Sequence, residues 1–125
     1  MPDPYFNRRL RSFGHAFRGL KVLLQTQPNA RIHVAATILV VAAGALLRIS
    51  PAEWALIAIA VMCVWAAEAL NTAIEFVVDL ASPDPHPLAG KAKDVAAGAV
   101  LIASIGSAVI GGFVFGPHVL RLLER

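Results

Sequence analysis

Charge is what this chain most lacks. No Asp, Glu, Lys or Arg occurs in residues 32–47, 54–67 or 95–120. Of all 125 residues only 15% are charged and 58% are hydrophobic, where a soluble domain carries about 25% charged residues. Such a composition, with a mean hydropathy of +0.68, excludes a disordered chain. A soluble fold of this length has too little interior to cover three such segments, and a bilayer span needs roughly 20 mostly apolar residues. The expectation is an all-α integral membrane protein, a single domain over residues 1–125 with three transmembrane helices.

Cysteine is nearly absent too. The single Cys63 excludes a disulfide within the chain and offers no metal-ligand spacing; it reads as a small buried hydrophobe. Residues 1–31 are polar and basic and lack the apolar core of a secretory leader, so the first apolar segment is expected to stay as a span. There is no Walker A sequence and no protein-kinase glycine loop. If ATP is a substrate, its phosphates are held by another device.

Between these absences the organisation is clear. Arg8, Arg9, Arg11, Arg18, Lys21 and Arg31 face one acid, Asp3, and Leu10, Phe13, Phe17, Leu20 and Leu24 recur at spacings of three and four. That pattern predicts an interfacial amphipathic helix over about 7–26. The first span is expected over about 30–48, with Arg31 and Arg48 snorkelling at its ends. Ser50-Pro51-Ala52-Glu53 is a capping box with proline at the first helical position, so the second span starts at 51 and runs to about 81. Ser82-Pro83-Asp84-Pro85-His86-Pro87 cannot be helical. The third span is expected over about 88–115, with small residues suited to close helix packing and Gly116-Pro117 ending or kinking it. The N-terminal region and the 82–94 loop hold eight Lys and Arg, and the opposite side holds Arg48, Arg121 and Arg125. This places the N-terminus and that loop in the cytoplasm.

The second span carries Glu68, Asn71, Thr72, Glu75 and Asp79 on one helical stripe. Ionisable groups inside a membrane helix are costly and mark sites. Three acids without a base repel one another unless a cation joins them or one is protonated, and oxygen ligands of this kind suit Mg²⁺. Lys91, Lys93 and Asp94 follow the loop at the same interface, so acids, metal and cation can gather round a phosphate as in a phosphoryl-transfer site. Other readings are a small oligomeric transporter using the intramembrane carboxylate Glu68, and a helical adaptor whose polar stripe only fixes assembly. Of the four histidines, His33 and His118 read as interfacial, while His86 lies beside the proposed site.

Glu68-Ala-Leu-Asn71-Thr-Ala-Ile-Glu75, then His86-Pro-Leu-Ala, then Lys91-Ala-Lys93-Asp94-Val-Ala-Ala-Gly, resembles the signature of the prokaryotic diacylglycerol kinases, a family that includes the Gram-positive-type undecaprenol kinases. Arg11-Ser-Phe and Asn29-Ala-Arg31-Ile-His33 resemble its N-terminal pattern. The resemblance implies a homotrimeric helical bundle of the bacterial inner (cytoplasmic) membrane, with sites shared between subunits and no nucleic-acid partner. It implies ATP- and Mg²⁺-dependent phosphorylation of the hydroxyl of a membrane lipid, undecaprenol or diacylglycerol. By position, Glu68 resembles the catalytic base and Glu75 a metal ligand; Asn71, Lys93 and Asp94 resemble residues around the transferred phosphate; Arg8, His15, Asp84 and His86 fall where the family contacts the nucleotide. Gln27 stands where a metal-binding glutamate is common and is expected as a second, weaker metal contact beside Glu75 at the nucleotide site, and His15 stands where a tyrosine is common.

Overall fold

The computed structural model describes the backbone of residues 4–124 and the side chains of Arg9 and residues 11–124. The regular structure among them is helical: α1 (Pro4–Thr26), α2 (Pro28–Leu47), α3 (Pro51–Ala81) and α4 (Pro87–Leu123). Proline makes each break. Pro28, Pro51 and Pro87 open α2, α3 and α4, at a position where the missing N–H would have had no helical partner. The residue before a proline is pushed out of helical geometry, and Gln27, Ser50 and His86 are all extended, at φ/ψ of −107°/114°, −68°/161° and −135°/134°.

The two turns away from the first helix are closed in different ways. α2 ends on Arg48 in the left-handed region, φ 53°, so that the Ile49 N–H donates to the Gly44 carbonyl at 3.2 Å. For a residue with a side chain that conformation costs about 1 kcal/mol. It turns Ile49 into a cluster with Ile57 and Val114, against which Val40, Trp54, Ile110 and Phe115 pack. Gly44 is required there because a Cβ would sit 2.7 Å from the Trp54 ring. The expected capping box then starts α3: the Glu53 N–H donates to Ser50 Oγ at 3.3 Å, and the Ser50 N–H donates to Glu53 Oε2 at 2.6 Å. At the other end of α3 the 82–86 loop is held by Ser82 Oγ donating to the Asp84 carbonyl, and by the Leu88 N–H donating to His86 Nδ1.

α3 and α4 form the principal pair, α2 lies along α3, and α1 touches both α2 and α3. Arg31 fastens α1 to α2 by donating from Nε and Nη2 to the Leu24 and Gln25 carbonyls, which would otherwise be orphaned at the end of α1. Burial is inverted relative to a water-soluble fold. Ile38, Leu46, Met62, Leu101, Ile102 and Phe113 are exposed, and the largest fully buried side chain is Glu68. Helices α2, α3 and α4 are each long and apolar enough to cross a membrane, and a helix satisfies its own backbone in lipid.

Two expectations need correction. Of the two outcomes expected at Gly116-Pro117, an end at about 115 does not occur: the last helix runs through Pro117 to Leu123. Proline removes one bond of the ladder, yet His118 Nε2 contacts Glu53 Oε1 at 2.9 Å and Arg121 Nε donates to the Pro117 carbonyl at 3.1 Å, which hold the following turns. Cys63 is exposed rather than buried. On a chain whose outer surface is itself apolar, a small hydrophobe gains as much facing outward as inward.

Candidate active site

The polar stripe of α3 grades from interior to surface. Glu68, Asn71 and Thr72 are buried, Glu75 is half-buried and Asp79 is exposed. Residues three and four apart on a helix are neighbours, so the stripe is a continuous wall of oxygen atoms leading from the interior to the loop end of the bundle.

Glu68 is 0% exposed, and neither carboxylate oxygen has a hydrogen-bond partner among the described residues. His33 on α2 brings Nε2 to 3.7 Å from Glu68 Oε2, beyond hydrogen-bond range, and that nitrogen is also buried and unpartnered. One turn away, Asn71 Oδ1 is in the same state. Thr72 contributes nothing outward, since its hydroxyl donates to the Glu68 carbonyl at 2.9 Å. Burying polar atoms unpaired costs several kcal/mol in an apolar medium. Four such atoms on three neighbouring residues make this the candidate place for another molecule to supply the partners.

Glu75 is the counterpart with its bonds made. Asn71 Nδ2 donates to Oε1 at 3.0 Å, and Gln27 Nε2 donates to Oε2 at 3.1 Å. The extended geometry that Pro28 imposes on Gln27 delivers that amide from the α1–α2 junction to α3. Among the described residues no three His, Cys, Asp or Glu side chains converge to cage a metal. Mg²⁺ does not require a cage: it takes one or two carboxylates and completes its shell with water and phosphate. A single half-buried carboxylate steadied by two amides fits that mode.

Lys93 on α4 donates from Nζ to Asp79 Oδ1, tying the two principal helices together below the loop. Its partner is therefore Asp79 across the helix pair, not the adjacent Asp94, which is exposed. Asp79, Asp84, His86, Gly90 and Lys93 line a cavity of about 320 Å³ under the loop. The structure thus brings Gln27, Asn71 and Glu75 together in one group, and Asp84, His86 and Lys93 in another, with Glu75 and Asp79 one turn apart to join them. His15 lies exposed on α1 beside Arg18, whose Nη2 is 2.6 Å from His15 Nδ1, and neither His15 nor Asp94 lines the loop cavity. The side chain of Arg8 lies outside the described residues.

The sequence reading missed the place of His33 at the site and, for Asp79, its partner. His33 reads as interfacial because nothing in α2 says which face meets α3. Asp79 was visible as a stripe member, but its partner lies fourteen residues on, across a loop. His33 also lines a second cavity of about 290 Å³ between α2, α3 and α4, whose wall continues through Val40, Ile57, Val61, Val64 and Phe115.

Residues 14–115 match the model of the prokaryotic diacylglycerol kinase family. The chain is 42% identical over 111 residues to the undecaprenol kinase of Bacillus subtilis, covering 89% of this chain and 90% of that protein. It is 41% identical over 113 residues to the diacylglycerol kinase of Synechocystis sp., covering 90% of this chain and 65% of that one. With the diacylglycerol kinase of Escherichia coli K12 the identity is 34% over 113 residues, covering 90% and 93%.

Proposed function

This chain belongs to the prokaryotic diacylglycerol kinase family and is a lipid kinase, and we propose that it moves the γ-phosphoryl group of ATP to the hydroxyl of a membrane lipid, undecaprenol ahead of diacylglycerol. The single observation that carries the reading is Glu68: a wholly buried carboxylate with both oxygens unpartnered, at the inner end of a stripe whose outer end holds Glu75, Asp79 and Lys93.

The chemistry follows from that order. The lipid hydroxyl donates its hydrogen bond to Glu68, which takes the proton as the oxygen attacks the γ-phosphorus; the bond from that phosphorus to the bridging oxygen of ADP breaks, and ADP leaves with the pair. Asn71 Oδ1 offers a second acceptor beside the hydroxyl. Glu75 would hold Mg²⁺, with the amide oxygen of Gln27 as a weaker second contact, while the amide nitrogens of Gln27 and Asn71 fix the orientation of the carboxylate. When bound, Mg²⁺ neutralises phosphate charge. Lys93 swings from Asp79 to the transferred group and offsets the charge spread over its oxygens. Asp84 and His86 border the nucleotide in the loop cavity, with Arg8 and His15 approaching from α1; Asp94 stands at the first turns of α4 and orients the phosphate side of the site. Most of the rate enhancement comes from positioning and fixed charge.

A surface location suits both substrates. The lipid arrives laterally, with its chain along the apolar cavity that begins at His33, and ATP arrives from the cytoplasm. The exposed Phe13 and Phe17 of α1 support its lying in the membrane interface. The broad exposed apolar faces of α2 and α4 suit subunit packing as well as lipid, in line with a homotrimer of the bacterial inner membrane that shares its sites, the N-terminus being cytoplasmic.

A side-by-side assay of undecaprenol and diacylglycerol with Mg·ATP in defined bilayers tests the reading. Phosphorylation of both, with undecaprenol the better substrate by kcat/KM, is expected. ATP turnover with no phosphate on either lipid would remove it.

A further inference from the structure

Glu68 and His33 leave two facing polar groups short of each other. Nε2 of His33 and Oε2 of Glu68 are 3.7 Å apart, and both are buried without a hydrogen-bond partner among the described residues. A hydrogen bond needs about 2.9 Å, so less than one ångström of ring movement closes the gap. The His33 backbone is tied to α3 through Thr37, and its ring borders Trp65. The His33 carbonyl accepts from Thr37 Oγ1 at 2.7 Å, and Thr37 Oγ1 accepts from Trp65 Nε1 at 3.2 Å. Trp65 meets the His33 ring edge-on, with centroids 6.2 Å apart and planes at 65°. His33, Thr37 and Trp65 therefore form a closed circuit between α2 and α3, one turn from Glu68. On its other side the ring borders the 290 Å³ cavity, which leaves it room to turn.

We propose that His33 is the positioning residue for Glu68: it donates from Nε2 to Oε2, fixes the carboxylate plane, and leaves Oε1 to receive the lipid hydroxyl. This rests on the reading of Glu68 as the proton acceptor. His33 is the basic side chain that faces this carboxylate. The other neighbours of the carboxylate on α3, Asn71 and Thr72, direct their donors to Glu75 and to the backbone. A carboxylate with neither oxygen held would sample several orientations, and a misplacement of about 1 Å at a reacting group costs on the order of 100-fold in rate.

The test compares His33→Leu, which keeps bulk without a donor, with His33→Gln, whose amide can donate from a similar position. The purified variants are assayed in bilayers with undecaprenol and Mg·ATP. His33→Leu should lower kcat by about 10- to 100-fold with KM for ATP unchanged, and His33→Gln should recover most of that loss. In a Glu68→Gln background, His33→Leu should add no further loss, because residues acting as a unit are not additive. Equal losses from Leu and Gln, or a full additional loss in the Glu68→Gln background, would overturn the proposal. Normal turnover by His33→Leu alongside a slow Glu68→Gln enzyme would overturn it while leaving Glu68 as the base. Normal turnover by Glu68→Gln itself would remove the base assignment and this proposal together. Should His33→Leu not assemble, Thr37→Val breaks the supporting circuit at nearly constant volume: a lower kcat at unchanged KM for ATP supports the proposal, and an unchanged kcat overturns it.

Discussion

Glu53 with His118 and Glu68 with His33 are the same two residue types facing each other between pairs of helices, at different levels of one bundle. In the Glu53 pair both carboxylate oxygens are engaged, Oε2 by the Ser50 N–H at 2.6 Å and Oε1 by His118 Nε2 at 2.9 Å. In the Glu68 pair neither oxygen has a partner, and the histidine stands off at 3.7 Å. The Glu53 group fastens the start of α3 to the last turns of α4 and carries the latter past Pro117. The Glu68 group fastens nothing, although it is the more deeply buried. On the proposed reading, the fully bonded Glu53 serves the fold, and Glu68, left without partners in a dry place, meets the substrate. The contrast predicts that changes at the two levels separate cleanly: one set alters turnover in a well-assembled protein, the other alters stability in a protein whose folded fraction turns over normally.

After Glu68 itself, the largest effect is expected from Lys93→Ala. Removing a cation aimed at developing charge costs on the order of 100-fold in kcat, and ATP binding should weaken with it. Lys91→Ala is the control, because Lys91 is exposed and lines no part of the loop cavity. Equal losses from the two lysines would show that only the charge count at the interface matters. Glu75→Ala comes next. It should raise the Mg²⁺ concentration for half-maximal activity by about 10-fold or more, with assembly intact by size-exclusion chromatography; a protein that fails to assemble at any Mg²⁺ concentration would make Glu75 part of the structural set.

At the other level, Ser50→Ala removes the acceptor of the capping box and should cost about 1 kcal/mol of stability, read as a lower Tm. His118→Ala, which releases Glu53 Oε1, should lower Tm as well. In both, kcat per folded molecule should match the parent, and a fall in kcat without a fall in Tm would contradict the division. The smallest effect is expected from Gln27→Glu. It replaces an amide that donates to Glu75 by a second carboxylate, and it should modestly lower the Mg²⁺ needed for half-maximal activity. A titration with an unchanged or higher requirement would mean that Gln27 serves only to orient Glu75.

Local features carried the reading of the fold. Ser50-Pro51-Ala52-Glu53 is a helix start in four consecutive residues, and α3 begins and ends where the pattern of capping box, apolar run and proline-rich loop puts it. The stripe from Glu68 to Asp79 follows from helical periodicity alone. What could not be read depends on pairs of helices. Pro117 is a stop signal by its own chemistry, and only the reach of His118 to a residue 65 positions earlier keeps the helix going. The partner of Lys93 is set by the turn of α4 on α3, which gives it to Asp79. His33 carries no sign in α2 that it will face a glutamate on α3. Cys63 failed for a different reason: inside and outside are both apolar in this chain, so hydrophobicity does not choose between them.

The most direct measurement is transfer of labelled phosphate from γ-labelled ATP to undecaprenol in bilayers containing Mg²⁺, by the parent protein and by Glu68→Gln at equal amounts of assembled enzyme. The parent should label the lipid, and Glu68→Gln should do so about 10²- to 10⁴-fold more slowly, the range for loss of a general base, with an unchanged Tm. Labelling by Glu68→Gln at the parent rate would contradict the assignment of the unpartnered carboxylate to catalysis.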